Sequence, residues 1–164
     1  MISLAFLLAQ MVYAQTDQPV TFGELTAVRT RLVELTFSSI LEKPNNLRLA
    51  AYANPDQPAT RDAVVELFGF VADLAKPKFT FSPAKKFKVD TKIMRPLSNP
   101  ESQEKLVWLI EWGFVVPYGQ VASGSSSTFT PNQLGDVLGL FMSKLADYTH
   151  VPSEEYSPNI RPEP

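Results

Sequence analysis

The positions of proline and of helix-capping residues divide this chain into short helical segments. Proline cannot occupy a helix interior, because it lacks an amide hydrogen and clashes with the preceding turn. The pairs Lys43-Pro44 and Lys76-Pro77 must therefore each end a helix. Pro100 and Pro131 instead suit the first position of a helix, since the fixed φ of proline is already helical. The pattern predicts a mainly α-helical domain of about four to five helices.

The predicted helices also have recognisable starts. Thr21-Phe22-Gly23-Glu24 and Thr130-Pro131-Asn132-Gln133 are capping boxes, in which the Thr hydroxyl and the Glu or Gln side chain satisfy backbone amides at the helix start. Thr60 can cap a second helix, and the third runs from Asn99-Pro100 to a stop at Gly113. Apolar residues follow each start at spacings of three and four, which predicts one buried stripe per helix.

The period of the apolar residues changes between residues 78 and 94. Phe79 and Phe81 alternate with polar residues, and after Ser82-Pro83 so do Phe87 and Val89. A period of two is typical of a strand. The sequence therefore predicts one β-hairpin or extended arm inside the helical domain.

Two segments have too few apolar side chains to build a core. Residues 119–129 are rich in Gly and Ser, which predicts a flexible loop. Residues 151–164 contain four prolines, which predicts an extended, proline-rich C-terminal tail. The helical domain is thus expected to span residues 21–150.

The first 20 residues have two interpretations. The apolar run Ile2–Tyr13 is too short to span a bilayer, which takes about 20 residues of helix. Val12-Tyr13-Ala14 is similar to a signal-peptidase site, but no Lys or Arg precedes the apolar run. We expect a retained, buried helix, and the alternative is a cleaved secretory signal.

The residue inventory argues against the common catalytic and cofactor chemistries. The sequence has no cysteine, and His150 is its only histidine. The close carboxylate pairs, such as Glu101 with Glu104, lie in predicted first helical turns, where negative charge is ordinary. No glycine-rich turn is followed by the lysine of a phosphate loop. We therefore expect a protein that is not an enzyme and that carries no metal or organic cofactor.

The charge is unevenly distributed. Between Lys76 and Arg95, seven basic residues stand against Asp90, a net +6, so the rest of a chain of net charge −2 carries −8. Such a stretch should attract a negatively charged surface. Interleaved Lys and Phe also suit single-stranded nucleic acid. A strand, however, would place the rings on one face and the lysines on the other, which predicts a buried set of rings and favours an acidic protein as the partner. The residues predicted to contact partners, in this stretch and in the tail, are Lys85, Lys86, Lys88, Tyr156, Ile160 and Arg161.

The stretch from Trp108 to Leu145, which contains "WLIEWGFVVPYGQ" and "STFTPNQLGDVLGLFMSKL", resembles the helix–loop–helix of an S-layer homology repeat. The Thr-Arg-Ala-Glu signature of those repeats is missing, and Asn132-Gln133-Leu134-Gly135 takes its place. The resemblance implies a module that contacts a cell wall or surface. It does not assign the chain to that family.

These features rank three functions. The first is a non-enzymatic structural subunit, forming a homo-oligomer within a larger complex, most specifically a neck, connector or capsid accessory protein of a tailed-phage virion. The second is an exported bacterial envelope protein, periplasmic or secreted, with the N-terminal segment as its signal. The third is a nucleic-acid-binding accessory protein. None of the three requires a transmembrane span.

Overall fold

The computed structural model describes residues 18–39, 52–83 and 85–149. Within these ranges lie five α-helices, and a 3-10 turn, Lys76–Lys78, follows the second of them. The helices are α1 (Phe22–Ser39), α2 (Arg61–Ala75), α3 (Pro100–Glu111), α4 (Gln120–Ser123) and α5 (Pro131–Thr149). The prediction of a mainly α-helical small domain is confirmed. The predictions for residues 1–17, for the helix end at Lys43-Pro44, for His150 and for the tail fall outside the described residues.

Both predicted capping boxes are present. At the start of α1 the Thr21 amide donates to Glu24 Oε2 (2.8 Å), and the Glu24 amide donates to Thr21 Oγ1 (3.2 Å). At the start of α5 the Thr130 amide donates to Gln133 Oε1 (3.0 Å), and the Gln133 amide donates to Thr130 Oγ1 (3.3 Å). These reciprocal bonds satisfy amides that a helix leaves open at its N-terminus.

Helix α2 is the centre of the fold, since it contacts α1, α3, α4 and α5. A helix that is apolar on nearly every side is stable only when it is surrounded. Phe68 of α2 stacks on Phe141 of α5 with ring centroids 4.5 Å apart. The buried residues of α2 are Arg61, Ala63, Val64, Val65, Leu67, Phe68, Gly69, Val71, Ala72 and Ala75.

Arg61, the first residue of α2, is a buried cation that holds three distant carbonyl groups. Only 3% of the residue is exposed. Its Nε and Nη2 donate to the Val121 oxygen at 3.0 and 2.8 Å, and Nη2 also donates to the oxygens of Arg95 and Ala122, each at 3.0 Å. Burial lowers the pKa of Arg61, the nearby Arg95 charge lowers it further, and Asp62 opposes the shift. These bonds attach α4 and the segment before α3 to the start of α2.

Asp62 extends the same junction with the opposite charge. Its Oδ1 accepts hydrogen bonds from the amides of Ser98 (2.8 Å) and Asn99 (3.0 Å). Asn99 in turn caps α3 by accepting from the Glu101 amide at 2.9 Å. The first turn of α2 therefore sets where α3 begins.

The segment predicted as a hairpin forms no strand within its described residues, 79–83 and 85–95, which we call the strap. Its backbone amides bond to the ends of helices instead of to a second strand. Thr80 donates to the Tyr148 oxygen (2.9 Å), Phe87 to the Glu111 oxygen (3.1 Å) and Arg95 to the Ala122 oxygen (3.0 Å). Carbonyls in the last turn of a helix have no partner within the helix, so they are available acceptors. The strap is a single irregular segment tied to α5, α3 and α4.

The prediction of an unpacked loop over residues 119–129 is corrected. Residues 120–123 form α4, and Val121 and Ala122 are fully buried. Phe129 is 1% exposed, and its carbonyl accepts from the Val20 amide at 2.7 Å. The prediction failed because it counted apolar residues inside the segment, whereas contacts with Arg61 and the core hold the segment in place.

We expect Arg61→Ala to lower the free energy of unfolding by about 3 kcal/mol, because it leaves three carbonyl groups without the donor that satisfies them. The control is Arg31→Ala, which removes only a surface ion pair with Glu34 (3.2 Å) and should cost less than about 0.5 kcal/mol. Urea denaturation followed by circular dichroism measures both. Equal stabilities of the two variants would contradict a stabilising role for Arg61.

Candidate interaction surface

Large apolar side chains that remain exposed are few in the described part of the chain. They are Phe81 (44% exposed), Phe87 (57%), Val116 (48%) and Tyr118 (79%). Two of these four belong to the strap, which also carries the basic residues. We therefore examine the strap as the candidate site.

Phe87 is held against the turn that ends α3. The turn is made by Gly113, whose φ of +77° is a conformation that glycine adopts without strain. A Cβ atom at Gly113 would lie 3.0 Å from Cε2 of Phe87, so the ring lies directly on the glycine. The Phe87 amide is fixed by the Glu111 carbonyl. Since 57% of the residue is exposed, the ring is supported by the turn on one side and accessible from solvent on the other.

Tyr148 near the end of α5 supports the beginning of the strap. Its carbonyl accepts from both the amide (2.9 Å) and the hydroxyl (3.1 Å) of Thr80. Its ring lies 5.0 Å from the ring of Phe81, and its hydroxyl donates to the Trp112 carbonyl at 2.6 Å. Since Glu111 and Trp112 are adjacent, Phe81 and Phe87 lie near the same end of α3.

Phe79, unlike the other two rings, packs towards the core. Its ring centroid lies 5.3 Å from that of Tyr148 and 5.7 Å from that of Trp112. The alternating pattern predicted that the phenyl rings would share one buried face. Phe81 and Phe87 depart from this prediction because no second strand pairs with the segment and fixes two faces.

The three lysines predicted to contact partners are exposed on the strap. Lys86 forms an ion pair with Glu111, with Nζ and Oε2 3.0 Å apart. Lys85 and Lys88 form no ion pair with any described residue. Their ammonium groups therefore contribute to a positive field around Phe87.

The structure thus brings together Lys85, Lys86 and Lys88 with Phe87, which the sequence had predicted to be buried. The other predicted contact residues, Tyr156, Ile160 and Arg161, lie outside the described residues and stay predictions. Exposure of Phe87 depends on Gly113, and Gly113 was predicted only as a helix stop.

No protein-family model matches the chain, and comparisons with curated proteins and with solved structures likewise find no match. The resemblance to an S-layer homology repeat is therefore not supported by a family match. In the described part of the chain, no helix is long and apolar enough to cross a membrane.

Tyr148→Phe should remove the hydrogen bond to Trp112 and lower the free energy of unfolding by about 1 kcal/mol at neutral pH. Burial raises the pKa of the Tyr148 hydroxyl above its ordinary 10.0, Asp147 adds to the shift and Lys144 opposes it. The folded state thus holds this proton more tightly than the unfolded state. Stability from this group is complete below pH 10 and falls as the pH rises through the folded-state pKa.

The variant should therefore lose less stability than the parent between neutral and alkaline pH. Tyr52, whose pKa burial also raises, stays in both proteins and sets a common background. Urea titrations at a series of pH values measure the difference. Tyr118→Phe is the control at pH 7, since a residue 79% exposed should tolerate the change. Identical alkaline losses in the parent and Tyr148→Phe would contradict the assignment.

Proposed function

We propose that this protein is a non-enzymatic structural subunit of a larger assembly and that the strap is its contact surface for a negatively charged component. One observation carries the proposal: Phe87 is supported by Gly113, largely exposed, and flanked by Lys85, Lys86 and Lys88. The core of the described domain is otherwise well closed, with Phe68, Phe114, Phe129 and Phe141 essentially inaccessible. Exposed apolar residues grouped on such a domain are typical of an interaction site.

Charge supports the same surface. The net +6 between Lys76 and Arg95 stands on a chain whose remainder carries −8. Opposite charge orients the encounter and raises the association rate, and salt weakens the effect. A negatively charged partner would therefore approach the strap side first.

For the assembly we propose a tailed-phage virion, in which the protein serves as a neck, connector or capsid accessory subunit. A long irregular segment and a proline-rich C-terminal sequence gain order against neighbouring subunits. The strap is such a segment. In the tail, Tyr156 and Ile160 are apolar anchors suited to a neighbouring copy, and Arg161 adds a charged contact.

A chain that ends at Thr149 should fold like the parent but lose self-association. Folding should persist because the described core lies between residues 18 and 149, whereas the loss of Tyr156, Ile160 and Arg161 removes the proposed contacts between copies. Sedimentation velocity measures the association, and thermal unfolding checks the fold. The parent should sediment as an oligomer of the 18.2 kDa chain. A monomeric parent, or a shortened chain that associates equally well, would refute this part of the proposal.

Changing Lys85, Lys86 and Lys88 together to Glu should abolish binding of anionic probes to the strap. The probes are a fluorescein-labelled polyglutamate peptide and a fluorescein-labelled oligothymidylate, each measured by anisotropy with the full chain at low ionic strength. The parent should bind at least one of them, and the Glu variant should bind about tenfold or more weakly.

The matched control changes the same three lysines to Arg, which keeps the charge and should keep the binding. Circular dichroism should show the same helix content in all three proteins. The strap is not the contact surface if neither probe binds the parent, or if the Glu variant binds as the parent does.

A further inference from the structure

The strap offers two features in one place: an accessible aromatic ring and lysines without ion-pair partners. The ring of Phe87 lies on Gly113 with its opposite side exposed, and Lys85 and Lys88 flank it in the sequence. Proteins bind single-stranded nucleic acid with this combination, since bases stack on aromatic rings while cations neutralise the adjacent phosphates. We infer that the strap binds single-stranded nucleic acid, with a base stacked on Phe87 and phosphates at Lys85 and Lys88. This inference rests on the proposal that the strap is a contact surface.

The support beneath Phe87 makes it suitable for stacking. The amide of Phe87 is bonded to the Glu111 carbonyl at 3.1 Å, and the ring rests on the backbone of a tight turn. A ring held in this way loses little side-chain entropy when a base covers it. Phe81, 44% exposed and lying on Tyr148, adds a second aromatic side chain to the same strap.

The aromatic ring distinguishes nucleic acid from an acidic protein surface. Lysines attract carboxylates and phosphates alike, so charge alone fits both partners. Every base, by contrast, has a flat π face that can cover Phe87, whereas the carboxylates of an acidic protein have none. A single strand fits better than a duplex, because duplex bases are already stacked on each other.

The rest of the chain confines the binding to the strap. Outside residues 76–95 the net charge is −8, which repels phosphates. Lys86 is paired with Glu111, so Lys85 and Lys88 and a third strap cation such as Lys92 are the available groups. Neutralisation of about three phosphates on a single strand predicts that the logarithm of the affinity falls with a slope of about −2 against the logarithm of salt concentration.

The test uses the full chain, a fluorescein-labelled oligothymidylate of about ten nucleotides and fluorescence anisotropy over a range of salt concentrations. The deciding pair of variants is Phe87→Leu and Phe87→Tyr. Leucine keeps an apolar side chain but removes the ring, and should weaken binding about tenfold, whereas tyrosine keeps the ring and should bind like the parent. Tyr118→Leu is the matched control, since it removes an exposed ring outside the strap and should change nothing.

Three results would overturn the inference. The first is binding of polyglutamate but not of the oligothymidylate, which would leave the strap as a surface for acidic proteins and the proposed function intact. The second is equal binding of Phe87→Leu and Phe87→Tyr, with both folded by thermal unfolding. The third is binding of a duplex of the same length as tightly as the single strand. If Phe87→Leu does not fold, the duplex comparison and the salt slope of the parent decide instead.

Discussion

The buried guanidinium of Arg61 determines the arrangement of everything that follows α2. A cation removed from water is costly unless its donors find good acceptors. Arg61 meets this requirement with four hydrogen bonds to the carbonyls of Arg95, Val121 and Ala122, which belong to two segments far apart in the sequence. Because a guanidinium has a fixed planar geometry, the bonds impose one relative position on α2, α4 and the end of the strap.

The strap follows from the same constraint. Its far end is fixed when Arg95 donates its amide to Ala122 and lends its carbonyl to Arg61. Its near end is fixed by Thr80 on Tyr148, and only Phe87 is bonded to Glu111 between them. A segment with so few backbone partners cannot form a regular sheet, and its side chains are free of the strict alternation of a strand. This is why Phe79 can face the core while Phe87 remains exposed.

The sequence predicted the parts of the fold that depend on neighbours in the chain. The capping boxes at Thr21 and Thr130 and the stop at Gly113 involve residues within a few positions of each other, so their chemistry is visible in the letters. Helix α4 and the exposed ring of Phe87 are fixed by partners about 60 and 25 residues away. The lysines of the candidate site were predictable from charge alone, whereas the ring beside them required the tertiary contact with Gly113.

The exposed ring of Phe87 is informative because burial was available to it. Burying a phenyl side chain is worth about 2 kcal/mol, and Phe79 on the same segment achieves partial burial against Trp112 and Tyr148. The fold nevertheless fixes the Phe87 backbone to Glu111 and rests the ring on a glycine, which holds it outward. A positive segment on a negative chain adds a directional field at the same place. Support from below, exposure above and flanking charge together describe a surface prepared for an anionic ligand with a flat apolar face.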